Sequence, residues 1–205
     1  ALECEPETAL RLAGSLCYYW EIRAWITEGR RWLQEALDKN RNATPALRAR
    51  VLSEAGRLAW HQGDNNQSTK LLEESLALHR TLSDDKSIAI DTCRLAMTFM
   101  HQGNLAGASA LLEESLAISD KLQDKVCMLQ VRLILQEISF HNDPGKLRRL
   151  CKEGLSLARE LGDERAIACS IMNLGFAEYH DENYDEARRL FSESLEISRR
   201  VDEKR

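Results

Sequence analysis

LLEESLAL at residues 71–78 returns as LLEESLAI at residues 111–118, each copy following a His-Gln-Gly, His61-Gln62-Gly63 and His101-Gln102-Gly103. The offset is 40 residues in both cases. Extending the register outward, Leu37, Leu76, Leu116, Leu155 and Leu195 fall 39, 40, 39 and 40 residues apart. A fixed period of this size is the mark of stacked units that each bury an apolar face against their neighbours. Each unit is long enough for two helices and two turns. The sequence therefore predicts an all-α fold, an α-solenoid in which antiparallel helix pairs, about ten helices in all, wind as a right-handed superhelix. A single array is expected over 1–205, with repeats at about 8–40, 45–84, 86–124, 125–162 and 163–202.

Local signals agree with this division. Residues 8–23 carry Leu12, Leu16, Tyr19 and Trp20 at helical spacing. In the second helix of that repeat, expected over 27–39, Trp32, Leu33, Ala36 and Leu37 share a face, and Thr27 is the candidate N-cap. Pro45 suits the first turn of a helix. Gly63-Asp64 supplies a left-handed stop followed by a cap, Gly103-Asn104 repeats it, and Gly162-Asp163 closes the fourth repeat. That fourth repeat has a turn one residue shorter than the others, and Gly154 stands where the others carry Ala or Ser.

Composition narrows the function classes. Hydrophobic residues make up 43% and charged residues 30%, with only 3 Pro and 10 Gly, so long linkers are not expected. No apolar run approaches the ~18 residues of a membrane span. A net charge of −5 disfavours direct nucleic-acid binding, which needs basic surface. Cys4, Cys17, Cys93, Cys127, Cys151 and Cys169 form no C-x-x-C and have no His at metal-ligand spacing. They read as small apolar fillers in a reducing, cytoplasmic setting. With no signal segment at the start and no polar closing helix at the end, the expectation is a fragment of a longer protein.

Set with the small residue of each first helix at position 8, repeat five reads Ile171, Leu174, Gly175, Tyr184, Ala187, Phe191 and Ser194. This resembles the tetratricopeptide repeat, with Leu-Gly/Ala in helix A and Ala…Phe…Ala in helix B. Cys17, Gly56 and Ala96 fill the small place in repeats one to three. Repeat four departs with Gln136, which predicts a splayed pair. The 39–40-residue period and the Leu-x-Asp links (Leu82-Ser83-Asp84, Leu122-Gln123-Asp124, Leu161-Gly162-Asp163) are similar to the sensor region of bacterial STAND-type ATPase regulators with a LuxR-like DNA-binding part. Residues Leu12–Leu37, with their EGRRWLQEAL, are especially similar to the first repeat of that group. Eukaryotic adaptor-type arrays are the second resemblance. No P-loop lies in the chain, so ATPase and DNA-binding parts would flank it.

The resemblance implies that helix A lines a concave groove, with positions 2, 5, 6, 9, 12 and 13 facing in. The candidate ligand-binding residues are then Arg50, Arg57, Trp60, Arg94, Met97, Met100, Phe140, Asn173, Phe176 and Tyr179. Rings and Met offer contact area, and Arg pairs with carboxylates, so a peptide or protein segment is the implied partner. Asn173 matches the place where family members hold a peptide backbone, but the accompanying Lys positions are not met. His61, His101, His141 and His180 share position 13. At roughly 10 Å per repeat they are too far apart to share a metal ion and read as helix-end residues. Glu73-Glu74 and Glu113-Glu114 point about 100° apart and cannot flank one bond. No cofactor, metal or catalytic residue is expected, and the chain reads as not an enzyme. The alternative function is self-association by end-to-end stacking.

Overall fold

The computed structural model describes residues 6–140 and 143–203. These form ten α-helices, with no strand among the described residues: α1 Pro6–Ile22, α2 Ile26–Lys39, α3 Pro45–His61, α4 Asn65–Thr81, α5 Asp85–His101, α6 Leu105–Leu122, α7 Lys125–Ser139, α8 Pro144–Leu161, α9 Glu164–His180 and α10 Tyr184–Glu203. Odd-numbered helices are the A helices of the repeats and even-numbered ones the B helices. The chain forms an α-solenoid in two compact units that divide between Leu111 and Leu112, inside α6.

Within the first unit α1 packs on α2, α3 on α4 and α4 on α5, and each A helix also touches the next, α1 on α3 and α3 on α5. The second unit repeats the scheme with α7, α8, α9 and α10, and α7 touches α9. Leu10, Leu33, Val51, Leu52 and Leu58 sit at the centre of the first unit. Leu129, Ala158 and Ala166 form one cluster in the second, and Leu147, Cys151 and Ala177 another. Each fully buried Leu contributes roughly 1.5–3 kcal/mol.

Aspartate starts most of the later helices. Asp64, Asp84, Asp124, Asp143 and Asp163 each accept an amide hydrogen bond from the first turn of the helix that follows, satisfying a donor the helix cannot. Thr27 does not act as a cap. Helix α2 begins one residue earlier, at Ile26, with Trp25 before it and no side-chain cap. The Thr27 hydroxyl instead accepts from Gln62 Nε2 at 2.6 Å. The turns inside the repeats use left-handed residues at matching places: Ala24, Gly63, Gly103 and Glu182.

The small positions explain how closely the helices of a pair approach. A Cβ on Gly56 would lie 2.7 Å from Leu72 Cγ, and one on Gly175 would lie 2.8 Å from the Phe191 ring. Repeat four inverts this arrangement. Gln136 is fully buried, donates to the Leu150 carbonyl at 3.2 Å and accepts from Asn173 at 3.0 Å. Gly154 makes room, since a Cβ there would stand 2.7 Å from Gln136 Nε2. The bulk expected to splay this pair is taken up by the missing side chain across from it. Cys17, Cys93, Cys127 and Cys151 are buried thiols, and Cys169 is half-buried. Cys4 lies outside the described residues. Burial pushes the Cys17 and Cys151 thiols up to about 12.

Candidate ligand-binding face

In the first unit α1, α3 and α5 run side by side. Their facing residues are tied together by a charged ladder. Arg57 on α3 pairs with Glu21 on α1 and, at 2.9 Å, with Glu54 one turn back. Arg94 on α5 reaches the other oxygen of Glu54 at 2.8 Å and donates to Ser53 Oγ at 2.5 Å. Ser53 in turn donates to Asp91, which is buried. The second Asp91 oxygen takes Ser75 Oγ at 2.6 Å and His79 Nδ1 at 2.8 Å, both from α4. Burial works to raise the Glu54 pKa, but the guanidiniums of Arg94 and Arg57 outweigh it and hold the carboxyl below its ordinary range. Arg57 is shifted upward despite burial by Glu54 and Glu21.

This arrangement changes the part played by two expected residues. Arg57 and Arg94 do not stand open to a ligand carboxylate, because Glu21 and Glu54 already occupy them. Arg50 differs: it is exposed and makes no ion pair among the described residues. It lines a cleft of about 550 Å³ together with Arg11, Leu47, Ile90 and Asp84, and Ser53, Asp91 and His79 also line it.

Trp60, Met97 and Met100 are half-buried on the same helices. Trp60 lies 4.8 Å from the His61 ring and 5.1 Å from the His101 ring, centroid to centroid. Its indole N–H is buried without a hydrogen-bond partner. His61 Nε2 meets Glu21 at 3.0 Å, yet burial keeps its pKa below the usual histidine value.

In the second unit the corresponding surface belongs to α7 and α9. Phe140, Phe176 and Phe191 form an edge-to-face chain with centroids 4.7 and 4.9 Å apart. Tyr179 is exposed and leans on Tyr184. Asn173 is buried, its amide spent on Gln136. His180 stands 6.3 Å from the Phe140 ring, and His141 lies outside the described residues. Among the described residues no three His, Cys, Asp or Glu side chains converge as a metal site.

The charged ladder is the part that reading the chain repeat by repeat does not reveal. Its signal was present: Glu54 and Arg94 carry opposite charges at the same position of adjacent repeats, 40 residues apart.

Residues 47–121 match one family model and residues 168–201 a second, both described as tetratricopeptide repeat. The chain is a tetratricopeptide-repeat protein. The matches cover α3 to α6 and most of α9 and α10, and leave out the repeats that carry Trp20 against Gly29 and Gln136 against Gly154. Several solved structures share the fold of these tetratricopeptide repeats. BtubC (BKLC) from P. vanneervenii aligns at a TM-score of 0.82 and 16% identity, over 96% of this chain and 88% of its own. The apo form of RapI aligns at 0.85 and 13% identity, over 95% and 72%. A Rap protein complexed with Competence and Sporulation Factor aligns at 0.78 and 10% identity, over 93% and 54%. No curated protein sequence is significantly similar to the chain.

Proposed function

We propose that this tetratricopeptide-repeat protein is a non-catalytic recruitment module that binds a peptide or protein segment along its A helices. The observation that carries the proposal is the makeup of that face. In the first unit Trp60, Met97 and Met100 are half-buried on α3 and α5, and Arg50, which has no ion pair among the described residues, stands at the adjoining cleft. The second unit has an aromatic surface of its own, with Phe140 at the end of α7 and Phe176 and Tyr179 on α9. Rings and thioethers give contact area at low entropic cost, and an exposed guanidinium such as that of Arg50 selects a carboxylate. The complex of a structurally similar Rap protein with Competence and Sporulation Factor supports ligand binding by this fold. The ladder of Glu21, Arg57, Glu54 and Arg94 shapes the face without contacting the ligand through free charge.

We infer in addition that the array serves a larger signalling or transcription regulator, as ligand sensor or scaffold. ATPase and DNA-binding parts of STAND type would lie outside these residues. The support is the likeness of residues Leu12–Leu37 and of the 39–40-residue period. Buried cysteine thiols suit a reducing, cytoplasmic location. No helix among the described residues is long and apolar enough to cross a membrane.

Selection from a random peptide library displayed on phage, followed by titration of a recovered peptide, tests the reading. The Arg50→Ala/Met97→Ala/Met100→Ala variant is expected to bind at least tenfold more weakly with its melting temperature kept. No enrichment, or equal affinity for wild type and variant, overturns it.

A further inference from the structure

The hairpin of α7 and α8 places charge where the other repeats place core. Arg132 on α7 occupies the position of Ala13, Leu52, Thr92 and Ile171, all of which are buried. Its own side chain is only 14% exposed. On the facing helix Lys152 stands where repeats two and three carry Glu73 and Glu113. Repeat four therefore gains two cations across one groove. Burying a guanidinium is costly unless its donors are met.

Holding the hairpin together does not account for Arg132. Its one partner among the described residues is Glu153, reached through Nε alone at 3.3 Å. Its Nη1 is buried without a hydrogen-bond partner. Repeat two shows what the same glutamate position offers an arginine that clasps the two helices: Arg48 binds Glu74 through Nε at 3.2 Å and through Nη2 at 2.8 Å. A guanidinium fork with unmet donors is a place for a second acceptor.

The groove around Arg132 encloses about 470 Å³ and is lined by Met128, Lys152, Glu153, Ser156, Leu157 and Glu160. Lys152 and Ser156 are exposed, and Lys152 makes no ion pair among the described residues. Glu160 is taken by Lys125. Met128 and Leu157 supply apolar walls. Two carboxylates in the lining balance its two cations. A singly charged group is therefore admitted, where a phosphate dianion meets stronger repulsion from Glu153 and Glu160.

We propose that this groove binds an acidic peptide segment. One Asp or Glu carboxylate of the segment takes the Arg132 guanidinium and the Lys152 ammonium, and a neighbouring apolar side chain lies between Met128 and Leu157. Seating the carboxylate turns the guanidinium so that Nη1 gains the acceptor it lacks. Arg132 stands at a different position of the repeat from the residues of the A-helix face, so this site does not rest on the function proposed for that face.

Proton–nitrogen NMR of the chain, the arginine Nε region included, tests the site by titration with N-acetyl-Leu-Asp-Leu-amide to about 20 mM. Saturable shifts are expected at Arg132 Nε and at the amides of Met128, Lys152 and Leu157. The Asn counterpart, N-acetyl-Leu-Asn-Leu-amide, is expected to bind at least tenfold more weakly. Arg132→Leu installs the residue of repeat two, and Lys152→Glu installs that of repeats two and three at an exposed position. Each is expected to abolish the shifts, with the melting temperature kept or raised. No saturable shift in the wild type, equal binding of the Asp and Asn peptides, or binding retained in Lys152→Glu overturns the proposal. A response to inorganic phosphate with none to the Asp peptide also overturns it, because that marks a site for small anions.

Discussion

Glu54 holds two arginines from two helices, and its removal should be felt in both. Glu54→Gln leaves the half-buried guanidiniums of Arg57 and Arg94 short of a carboxylate, at a cost of about 1–3 kcal/mol. Chemical denaturation at pH 7 measures it. The sign with pH follows from the depressed carboxyl. Its contribution is fully present above the unfolded-state value of 4.5 and is lost as pH falls through the folded-state value below that. The gap between wild type and Glu54→Gln should therefore close on acidification below 4.5, and a gap that widened there would refute the assignment. At another residue the effect reverses. Glu182 holds φ of 63°, a left-handed conformation that its counterparts Gly63 and Gly103 adopt freely. Glu182→Gly should stabilise by about 0.5–1 kcal/mol, seen as a higher melting temperature.

Among the elements, the helix pairs were the most legible in the sequence and their mutual contacts the least. The Leu37–Leu195 period, the Gly63-Asp64 turn and Pro45 located helices to within a residue or two, because these signals act within one turn of chain. Thr27 misled for the same reason: a good capping residue lay beside a start that Trp25 occupies without a cap. The ladder from Glu21 to His79 stayed hidden because its partners belong to different repeats, and Arg57, read alone, looks like a free cation. Gln136 looked like a disruption until Gly154 was seen opposite it. That pairing gives an element-scale prediction. Gly154→Ser, the residue of repeats two, three and five, should destabilise by about 1–3 kcal/mol through overpacking. Adding Gln136→Ala should recover most of the loss. Thermal melts of both singles and the double decide it, and simple additivity would mean the two sites do not communicate.

Within each compact unit, packing joins helices that are neighbours or next neighbours in the chain. Contacts of such short sequence separation close small loops, so the entropic barrier to forming them is low. Refolding from denaturant should show a main phase in the millisecond range or faster by stopped-flow fluorescence, with Trp20, Trp25, Trp32 and Trp60 reporting on the first unit. A main phase of seconds would contradict a fold built from local contacts.

The match between Gln136 and Gly154 also bears on how such a chain can diversify. A crossover between repeats that fell in the turn between α7 and α8 would join Gln136 to a partner helix carrying Ser, or Gly154 to a helix with nothing to fill its gap. A crossover between hairpins keeps both residues together. Recombination among these repeats is thereby steered to whole hairpins, and the fourth repeat is inherited as a block.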